Sequence, residues 1–296
     1  MAATIISGKD LSTSLKATMK NDVKEYFKKY KRCPHLAVII IGEDPGSISY
    51  VKGKEKACNE IGLKNTTFRL NARVSQKTVL NLIDSLNADD TVDGILVQLP
   101  LPKSYDTEQI INRIDPGKDV DGFHPSNIAK LWTKKACLLP CTPKGIIEML
   151  KSVNIEIKGK RVCVMGRSNI VGLPMMKLFI DEDATVTMVH SKTQKAWEIT
   201  RDADILIAAI GKPKFVKSRY IKDGAVVIDV GVNRDPETGK LCGDVDFDDC
   251  FPYASYITKV PGGVGPMTIC GLMQNTIEAF LNHVSAKEEK INDRAL

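Results

Sequence analysis

The segment 47–62, SISYVKGKEKACNEIG, carries three lysines that take different positions on a helix. At about 100° per residue, Lys54 falls in the middle of the apolar arc, whereas Lys52 and Lys56 fall on the opposite face. Tyr50 stands one turn before Lys54 on the same face. A lysine that lines a cavity has a lowered pKa, which suits it to proton transfer. The alternative is that the stem of Lys54 packs against apolar surface while its ammonium reaches solvent at the domain edge.

Further polar residues follow a predicted strand and a predicted loop. Gln98 lies in VQLPLP at the end of a strand, and α/β proteins bind their ligands at the carboxyl ends of strands. A buried glutamine needs hydrogen-bond partners, so Gln98 is either structural or part of a site. Asp119 and Asp121 stand two residues apart in KDVDG, and most such pairs organise a turn.

The segment 161–179, RVCVMGRSNIVGLPMMKLF, predicts a phosphate-binding turn. A buried strand ends at Gly166, a short turn follows, and a helix begins with Pro174 near its first turn, where proline is best tolerated. Unpaired N–H groups and the helix dipole at such a helix start attract an anion. The spacing is G-x5-G, not G-x-G-x-x-G, so a tight βα turn without a ligand is the alternative.

The residues around this turn favour NADP over NAD. In NAD sites the second strand usually ends in Asp or Glu, which binds the ribose 2′-OH. Here ATVTMVHS ends in His190-Ser191-Lys192, without a carboxylate, and Arg167 stands in the turn itself. Arginine and serine can donate to a 2′-phosphate that a carboxylate would repel. Arg167 as a surface cation is the alternative.

A second glycine-rich stretch, PGGVGPMT (261–268), follows the last predicted strand. Its glycines would let the backbone approach a flat ligand closely, whereas a plain turn would need fewer of them.

Around these motifs the pattern alternates helix and strand, which indicates an α/β protein with parallel sheets. The predicted strands are LAVIIIG (36–42), NTTFRLN (65–71), DGILVQLPL (93–101), RVCVMG, ATVTMVHS, ADILIAAIG, GAVVIDVG and YITKV. The composition changes near residue 144. We expect two α/β domains with a cleft between them: residues 1–144, completed by a C-terminal helix over 268–296, and a Rossmann-like parallel sheet over 145–267.

Composition excludes several classes of protein. The chain has 296 residues, 43% apolar and 26% charged, which excludes a disordered or fibrous chain. No apolar run approaches ~18 residues and no signal peptide is visible, so we expect a cytoplasmic protein without membrane contact. The eight cysteines and four histidines show no metal-ligand spacing, so we expect no metal site. The basic patch at 20–32 is better explained by a solvated helix face than by nucleic-acid binding.

Seven motifs occur in the order found in a known family: YVKGK within S-x-x-Y-x-x-x-K, VQLPLP, KDVDGF, PCTPKG, GRSNIVGLP, HSKT and PGGVGPMT. With them the chain resembles the bifunctional methylenetetrahydrofolate dehydrogenase/cyclohydrolase family, and most closely its bacterial FolD members. The resemblance covers essentially the whole chain. One departure is Ala129 in SNIAKL, where relatives have glycine, at a loop position to which we assign no chemistry.

The resemblance implies two coupled reactions of one-carbon metabolism. First, 5,10-methylenetetrahydrofolate gives a hydride to NADP+, which forms the methenyl cation. Water then adds to that cation, and ring opening yields 10-formyltetrahydrofolate. Both steps would use the same cleft, on tetrahydrofolate one-carbon derivatives, with NADP as the cofactor and no metal. The resemblance also implies a homodimer formed through the cofactor domains.

The same resemblance implies roles for individual residues. Lys54 would be the main catalytic group for proton transfer, Gln98 would position it, and Tyr50 would stack on the folate. Asp121 would hold the pterin. The remaining candidates are Pro261, Gly262 and Gly263 beside the folate, Arg167 and Ser191 at the 2′-phosphate, and Gly166, Ser168 and Val232 along the rest of the cofactor.

Two other functions compete with this interpretation. One is an NADP-dependent dehydrogenase of another small substrate, which would not need Lys54 together with Asp121. The other is a non-catalytic NADP-binding or scaffold protein, with which methylenetetrahydrofolate and NADP+ would give no NADPH. The residues alone support an NADP-linked α/β enzyme, and the specific reactions rest on the resemblance.

Overall fold

The computed structural model describes residues 3–295 of the chain, with side chains described as far as residue 288. The chain folds into two α/β units. The large-sheet unit contains the chain up to Thr13 and Thr142–Thr268, and the small-sheet unit contains Ser14–Cys141 and the chain from Ile269 onward. The large-sheet unit is named after its six-stranded sheet, and the small-sheet unit after its three-stranded sheet.

Strands and helices alternate along both units. The strands are β1 (Thr4–Ile6), β2 (His35–Ile41), β3 (Lys64–Leu70), β4 (Gly94–Val97), β5 (Arg161–Met165), β6 (Thr185–Val189), β7 (Ile205–Ala208), β8 (Val226–Asp229), β9 (Asn233–Arg234), β10 (Leu241–Cys242) and β11 (Tyr256–Thr258). The helices are α1 (Gly8–Tyr30), α2 (Pro45–Ile61), α3 (Gln76–Ala88), α4 (Thr107–Arg113), α5 (Pro125–Trp132), α6 (Cys141–Ser152), α7 (Gly172–Asp181), α8 (Ala196–Thr200), α9 (Phe247–Cys250) and α10 (Val264–Ala295), and Ser218–Tyr220 forms a short 3₁₀ helix.

The sheet of the small-sheet unit has the strand order β3-β2-β4, with both pairs parallel. Every residue of the central strand β2, HLAVIII, is buried, as expected for a parallel strand covered on both faces. The loop that contains KDVDG runs beside β4, because the Ile95 N–H donates to the Lys118 carbonyl oxygen at 2.7 Å. Only glycine fits at position 94, since a Cβ there would lie 2.6 Å from the Val120 side chain.

Helix α2 has well-defined ends, which fix the direction of its side chains. Asp44 caps its start by accepting from the Ser47 N–H at 2.7 Å, and Gly62 ends it in the left-handed conformation. Its buried residues recur at helical spacing: Ser47, Val51, Lys54, Ala57, Cys58 and Ile61. Lys54 therefore points inward, as the helical wheel predicts.

The sheet of the large-sheet unit has the order β1-β11-β8-β7-β5-β6, and all of these pairs are parallel. The strand order reverses at β5, because the chain goes from β5 to β6 on one side and then crosses to β7 on the other. This reversal is the ligand-binding position of Rossmann-like sheets. The predicted fold class, two α/β domains with a Rossmann-like parallel sheet, is confirmed.

The N-terminal strand differs from the predicted domain division, which placed residues 1–144 together. Strand β1 pairs in parallel with β11, with Thr4 opposite Tyr256 and Ile6 opposite Thr258, so it belongs to the large sheet. Strand β1 has only three residues, which is too short for its hydrophobic pattern to indicate which sheet it joins. Helix α10 begins at Val264, before the predicted residue 268. Within the described part of the chain, no helix is both long enough and apolar enough to cross a bilayer.

Candidate active site and dinucleotide site

Lys54 is the buried cation of the small-sheet unit's site. Its side chain is only 7% exposed, and its Nζ donates to Oε1 of Gln98 at 2.9 Å. Burial lowers the pKa of Lys54, and the nearby Asp121 carboxylate partly opposes that shift. A lowered pKa increases the fraction of neutral amine that can accept a proton near neutral pH.

Gln98 follows β4, and its side-chain amide has a fixed orientation. Its Nε2 donates to the Leu99 carbonyl oxygen at 2.6 Å, which leaves Oε1 facing Lys54. Its backbone N–H donates to the carbonyl oxygen of Ile39 in β2 at 2.8 Å. The glutamine therefore presents a fixed acceptor to the amine, since both ends of its amide have partners.

The two carboxylates of KDVDG have different surroundings. Asp119 is buried, and its Oδ2 accepts from the His124 N–H at 2.8 Å and from Asn127 Nδ2 at 2.9 Å. It therefore organises the turn that precedes α5. Asp121 keeps partial contact with solvent. Burial raises the pKa of Asp121 to about 6, although the positive charge of Lys54 acts in the opposite direction.

The backbone around Asp121 is held on both sides. Gly122 has a φ of +74°, and a Cβ there would lie 2.6 Å from the backbone of Leu139 and Pro140. On the other side, Lys118 Nζ donates to three backbone carbonyl oxygens at the end of α3, at 2.8–3.0 Å. The backbone on either side of Asp121 is therefore fixed, at Lys118 by α3 and at Gly122 by the close approach of Leu139 and Pro140.

Tyr50 lies on α2 one turn before Lys54, half-buried. Burial raises the pKa of Tyr50, so its side chain stays a neutral phenol. An uncharged aromatic ring with an accessible side suits stacking on a flat ligand. The small-sheet unit thus places Lys54 next to Gln98 and within the electrostatic reach of Asp121, with Tyr50 one helical turn before Lys54 on α2.

Asn275 of α10 is a residue that sequence reasoning missed. It is fully buried, and its Nδ2 donates to the Val120 carbonyl oxygen at 2.9 Å and to the Leu139 carbonyl oxygen at 2.7 Å. It therefore fixes the backbone next to Asp121. The signal was present, because Asn275 falls on the apolar face of a helix, where an amide needs partners.

The glycine turn of the large-sheet unit requires both of its glycines. Gly166 has a φ of +113°, and a Cβ there would overlap the carbonyl oxygen of Ala209. A Cβ on Gly172 would overlap the carbonyl oxygen of Gly166, so α7 starts in close contact with the end of β5. These are two of the roles that glycines have in dinucleotide turns, a tight bend and a close helix approach.

The side chains at this turn fit a phosphorylated ribose. Arg167, Ser168 and Ser191 are exposed, and β6 is followed by His190 without a carboxylate. The Ser168 hydroxyl accepts from the N–H groups of Val171 and Gly172 at 3.2 and 3.3 Å, so it lies at the N-terminus of α7. An exposed guanidinium, exposed hydroxyls and a helix start together suit NADP.

The other predicted ligand residues also lie in the large-sheet unit. Val232 follows β8 and is 45% exposed. In the turn at 261–263, which precedes α10, Pro261 is exposed and the Gly262 carbonyl oxygen accepts from the Lys9 N–H at 2.9 Å. Gly263 lies against Gly8, because a Cβ on Gly8 would overlap the carbonyl oxygen of Gly263. This turn therefore packs closely against the start of α1.

Comparison with known proteins agrees with both halves of this description. Residues 6–121 match the tetrahydrofolate dehydrogenase/cyclohydrolase catalytic domain, and residues 140–284 match the NAD(P)-binding domain of the same family. The bifunctional protein FolD of Bacillus anthracis is 54% identical over 279 residues, which is 94% of this chain and 97% of that protein. This chain belongs to the tetrahydrofolate dehydrogenase/cyclohydrolase family. The resemblance inferred from the sequence motifs is thereby confirmed.

Solved structures of family members have the same fold. The FolD dehydrogenase/cyclohydrolase of Campylobacter jejuni is 44% identical, with a TM-score of 0.92 over 95% of this chain and 99% of that one. The FolD of Trypanosoma brucei, solved in complex with an NADP cofactor and an inhibitor, is 39% identical, with a TM-score of 0.92 over 96% and 99% of the two chains.

Proposed function

We propose that this family member oxidises 5,10-methylenetetrahydrofolate with NADP+ and hydrolyses the resulting methenyl cation to 10-formyltetrahydrofolate. The observation that carries the proposal is the buried Lys54 amine bonded to Gln98, with the Asp121 carboxyl beside it. When bound, NADP+ accepts the hydride and becomes NADPH. The cation is itself electrophilic, so its hydration needs controlled proton transfer and no metal-bound hydroxide.

In the hydrolytic step, Lys54 is the proton-transfer group. As a neutral amine it accepts a proton from the attacking water, and as an ammonium it protonates the nitrogen that leaves when the ring opens. Gln98 holds Nζ through the 2.9 Å hydrogen bond, which keeps the amine in one direction in both protonation states. This makes Gln98 a positioning residue for Lys54.

Asp121 and Tyr50 would bind the pterin. A carboxylate accepts two parallel hydrogen bonds from a flat edge with two N–H donors, which the pterin offers. Tyr50 would stack on the ring through its accessible face. Pro261, Gly262 and Gly263 would border the folate with backbone that carries no bulky side chain.

On the cofactor side, Arg167 and Ser191 would donate to the 2′-phosphate. Gly166 and Ser168 would contact the diphosphate at the start of α7, where backbone N–H groups and the helix dipole favour anions. Val232 would pack against the nicotinamide end. In this assignment the folate domain is 1–144 with the C-terminal helix 268–296, apart from β1, and the cofactor domain is 145–267.

We further propose a homodimer that acts in the cytoplasm. Strand β6 forms one edge of the large sheet, and an uncovered edge strand is a common dimer contact. Cysteines such as Cys58, Cys163 and Cys250 are buried as thiols and are not joined in disulfides, as in proteins of reducing compartments. Light scattering coupled to size-exclusion chromatography measures the molar mass, and a monomeric mass at micromolar concentration would exclude the dimer.

The decisive experiment replaces Lys54 with methionine, which keeps most of the side-chain volume and removes the amine. Because general acid–base catalysis contributes roughly 10²–10⁴-fold, we expect hydrolysis of methenyltetrahydrofolate to fall by about that factor. Binding of NADP+ should be retained. Lys56→Met is the matched control, since Lys56 is exposed on the opposite face of α2. Wild-type hydrolysis in Lys54→Met would remove the assignment.

A further inference from the structure

Two buried carboxylates of the large-sheet unit have no part in the mechanism above. Asp229 ends β8 and is 3% exposed, and Asp244 follows β10 and is fully buried. A buried carboxylate is costly unless hydrogen bonds compensate it. The partners of these two side chains therefore indicate what the carboxylates hold in place.

The Asp244 carboxylate joins two loops. It accepts from the backbone N–H groups of Ile210, Gly211 and Lys212 at 2.6, 3.0 and 2.8 Å, all in the loop that follows β7. It also accepts from Nδ2 of Asn233 at 2.8 Å. Asn233 stands directly after the loop that follows β8. One side chain thus fixes the backbone beyond both strands.

The Asp229 carboxylate holds Asp244 itself. It accepts from the N–H groups of Asp244 and Val245 at 2.8 and 3.0 Å, and from the N–H of Gly231 at 3.0 Å. Burial raises the pKa of Asp229 to about 7, and the negative charge of Asp244 adds to that rise. The two carboxylates form a chain of contacts from β8 through Asp244 to the loop after β7.

Glycines make these contacts possible. A Cβ on Gly243 would overlap the Asp229 carboxylate, and a Cβ on Gly231 would overlap the Asp244 carboxylate. The backbone therefore passes the two carboxylates at a distance that only glycine allows. The arrangement is built into three separate stretches of chain, which is more than the capping of one turn requires.

The position of these loops gives them a function. A dinucleotide extends across the point where the strand order reverses, here at β5. With the 2′-phosphate at Arg167 and Ser191, on the side of β5 and β6, the nicotinamide half extends over the ends of β7 and β8. The loops tied by Asp244 lie there, and Val232 is part of the second one.

We propose that Asp229 and Asp244 are positioning residues that hold the two nicotinamide-side loops in their binding conformation without touching the cofactor. This inference rests on the proposed use of NADP. It predicts that loss of either carboxylate weakens binding of the nicotinamide half selectively, because the turn at Gly166 has its own hydrogen bonds.

The test compares two ligands by calorimetry, NADP+ and 2′-phosphoadenosine diphosphoribose, which lacks the nicotinamide ring. In Asp244→Asn we expect the Kd of NADP+ to rise at least ~10-fold, the factor that 1.4 kcal/mol represents. The Kd of the nicotinamide-free ligand should stay at its wild-type value. Asp249→Asn is the control, because Asp249 also accepts from a backbone N–H, that of Ser218, outside these loops.

A second variant covers the case in which Asp244→Asn does not fold. Asn233→Ala removes one donor and leaves the carboxylate with its three backbone partners, and we expect a smaller rise in the Kd of NADP+ alone. Equal losses for both ligands, or no loss for either, would overturn the inference. A wild-type protein that binds neither ligand would instead overturn the proposed function.

Discussion

Replacing Gln98 by alanine and by glutamate should shift the pKa of Lys54 in opposite directions. The Lys54 ammonium donates to Gln98 Oε1 at 2.9 Å in a buried position. Since a hydrogen bond to a charged group contributes about 1.5–3 kcal/mol and one pKa unit corresponds to about 1.36 kcal/mol, Gln98→Ala should lower the pKa of Lys54 by roughly 1–2 units.

Glutamate at position 98 puts an anion where the neutral acceptor stands. At an effective dielectric constant of about 20, two unit charges 2.9 Å apart attract each other by roughly 6 kcal/mol, before the loss of hydration of the carboxylate is subtracted. That attraction favours the ammonium, so Gln98→Glu should raise the pKa of Lys54 by at least about one unit.

The assay is the pH dependence of kcat/KM for hydrolysis of methenyltetrahydrofolate, corrected for the uncatalysed reaction at each pH. The limb that reports Lys54 should move to lower pH in Gln98→Ala and to higher pH in Gln98→Glu. These directions hold whether the amine or the ammonium is the active form. Gln109→Ala, an exposed glutamine of the same unit, should leave the profile unchanged. Shifts in the same direction, or none, would refute the reasoning.

Three further outcomes follow from the two sites. Asp121→Asn should weaken folate binding far more than NADP+ binding, and equal losses of both ligands would contradict the role. Because the pKa of Asp121 is raised to about 6, folate binding by the wild type should decline as the pH falls through 6. This decline should be absent in the variant. Arg167→Ala should lower the preference for NADP+ over NAD+ by roughly 10–100-fold, as expected for a lost charge-assisted bond, and an unchanged ratio of the two Kd values would contradict it. Gly122→Ala should lower the free energy of unfolding by about 1–3 kcal/mol in urea titrations and should also weaken folate binding. The reason is that the φ of +74° at Gly122 and the nearby backbone of Leu139 exclude a side chain. A variant as stable as the wild type would show that the loop relaxes freely.

The inward direction of Lys54 could be predicted from the sequence because helical periodicity is a local property. Val51, Ala57, Cys58 and Ile61 define a buried arc, and Lys54 lies inside it. The bond from Lys54 to Gln98 could not be predicted in this way. The two residues are 44 positions apart, and no local pattern reports which strand end a helix faces.

The carboxylates illustrate the same limit. Asp119 and Asp121 look equivalent in KDVDG, yet Asp119 bonds to His124 and Asn127 while Asp121 stays partly exposed. Asp229 and Asp244 could not be singled out from the sequence, since most of their partners are backbone N–H groups of loops that are distant along the chain. Nearly every residue has a backbone N–H that can donate such a hydrogen bond, so the residue type of the donor does not identify its partner.

The pairing of β1 with β11 has a consequence for biosynthesis. Tyr256 of β11 pairs with Thr4 of β1, about 250 residues earlier in the chain. Because translation adds about 5–20 residues per second, β1 leaves the ribosome well before β11 has been synthesised. Until then the nascent N-terminus has no sheet to join. A shortened gene product that starts after β1 would expose the open side of β11, and such open sides recruit strands from other molecules. Expression of the nucleotide-binding half alone should therefore yield aggregates unless the first few residues are fused back to it.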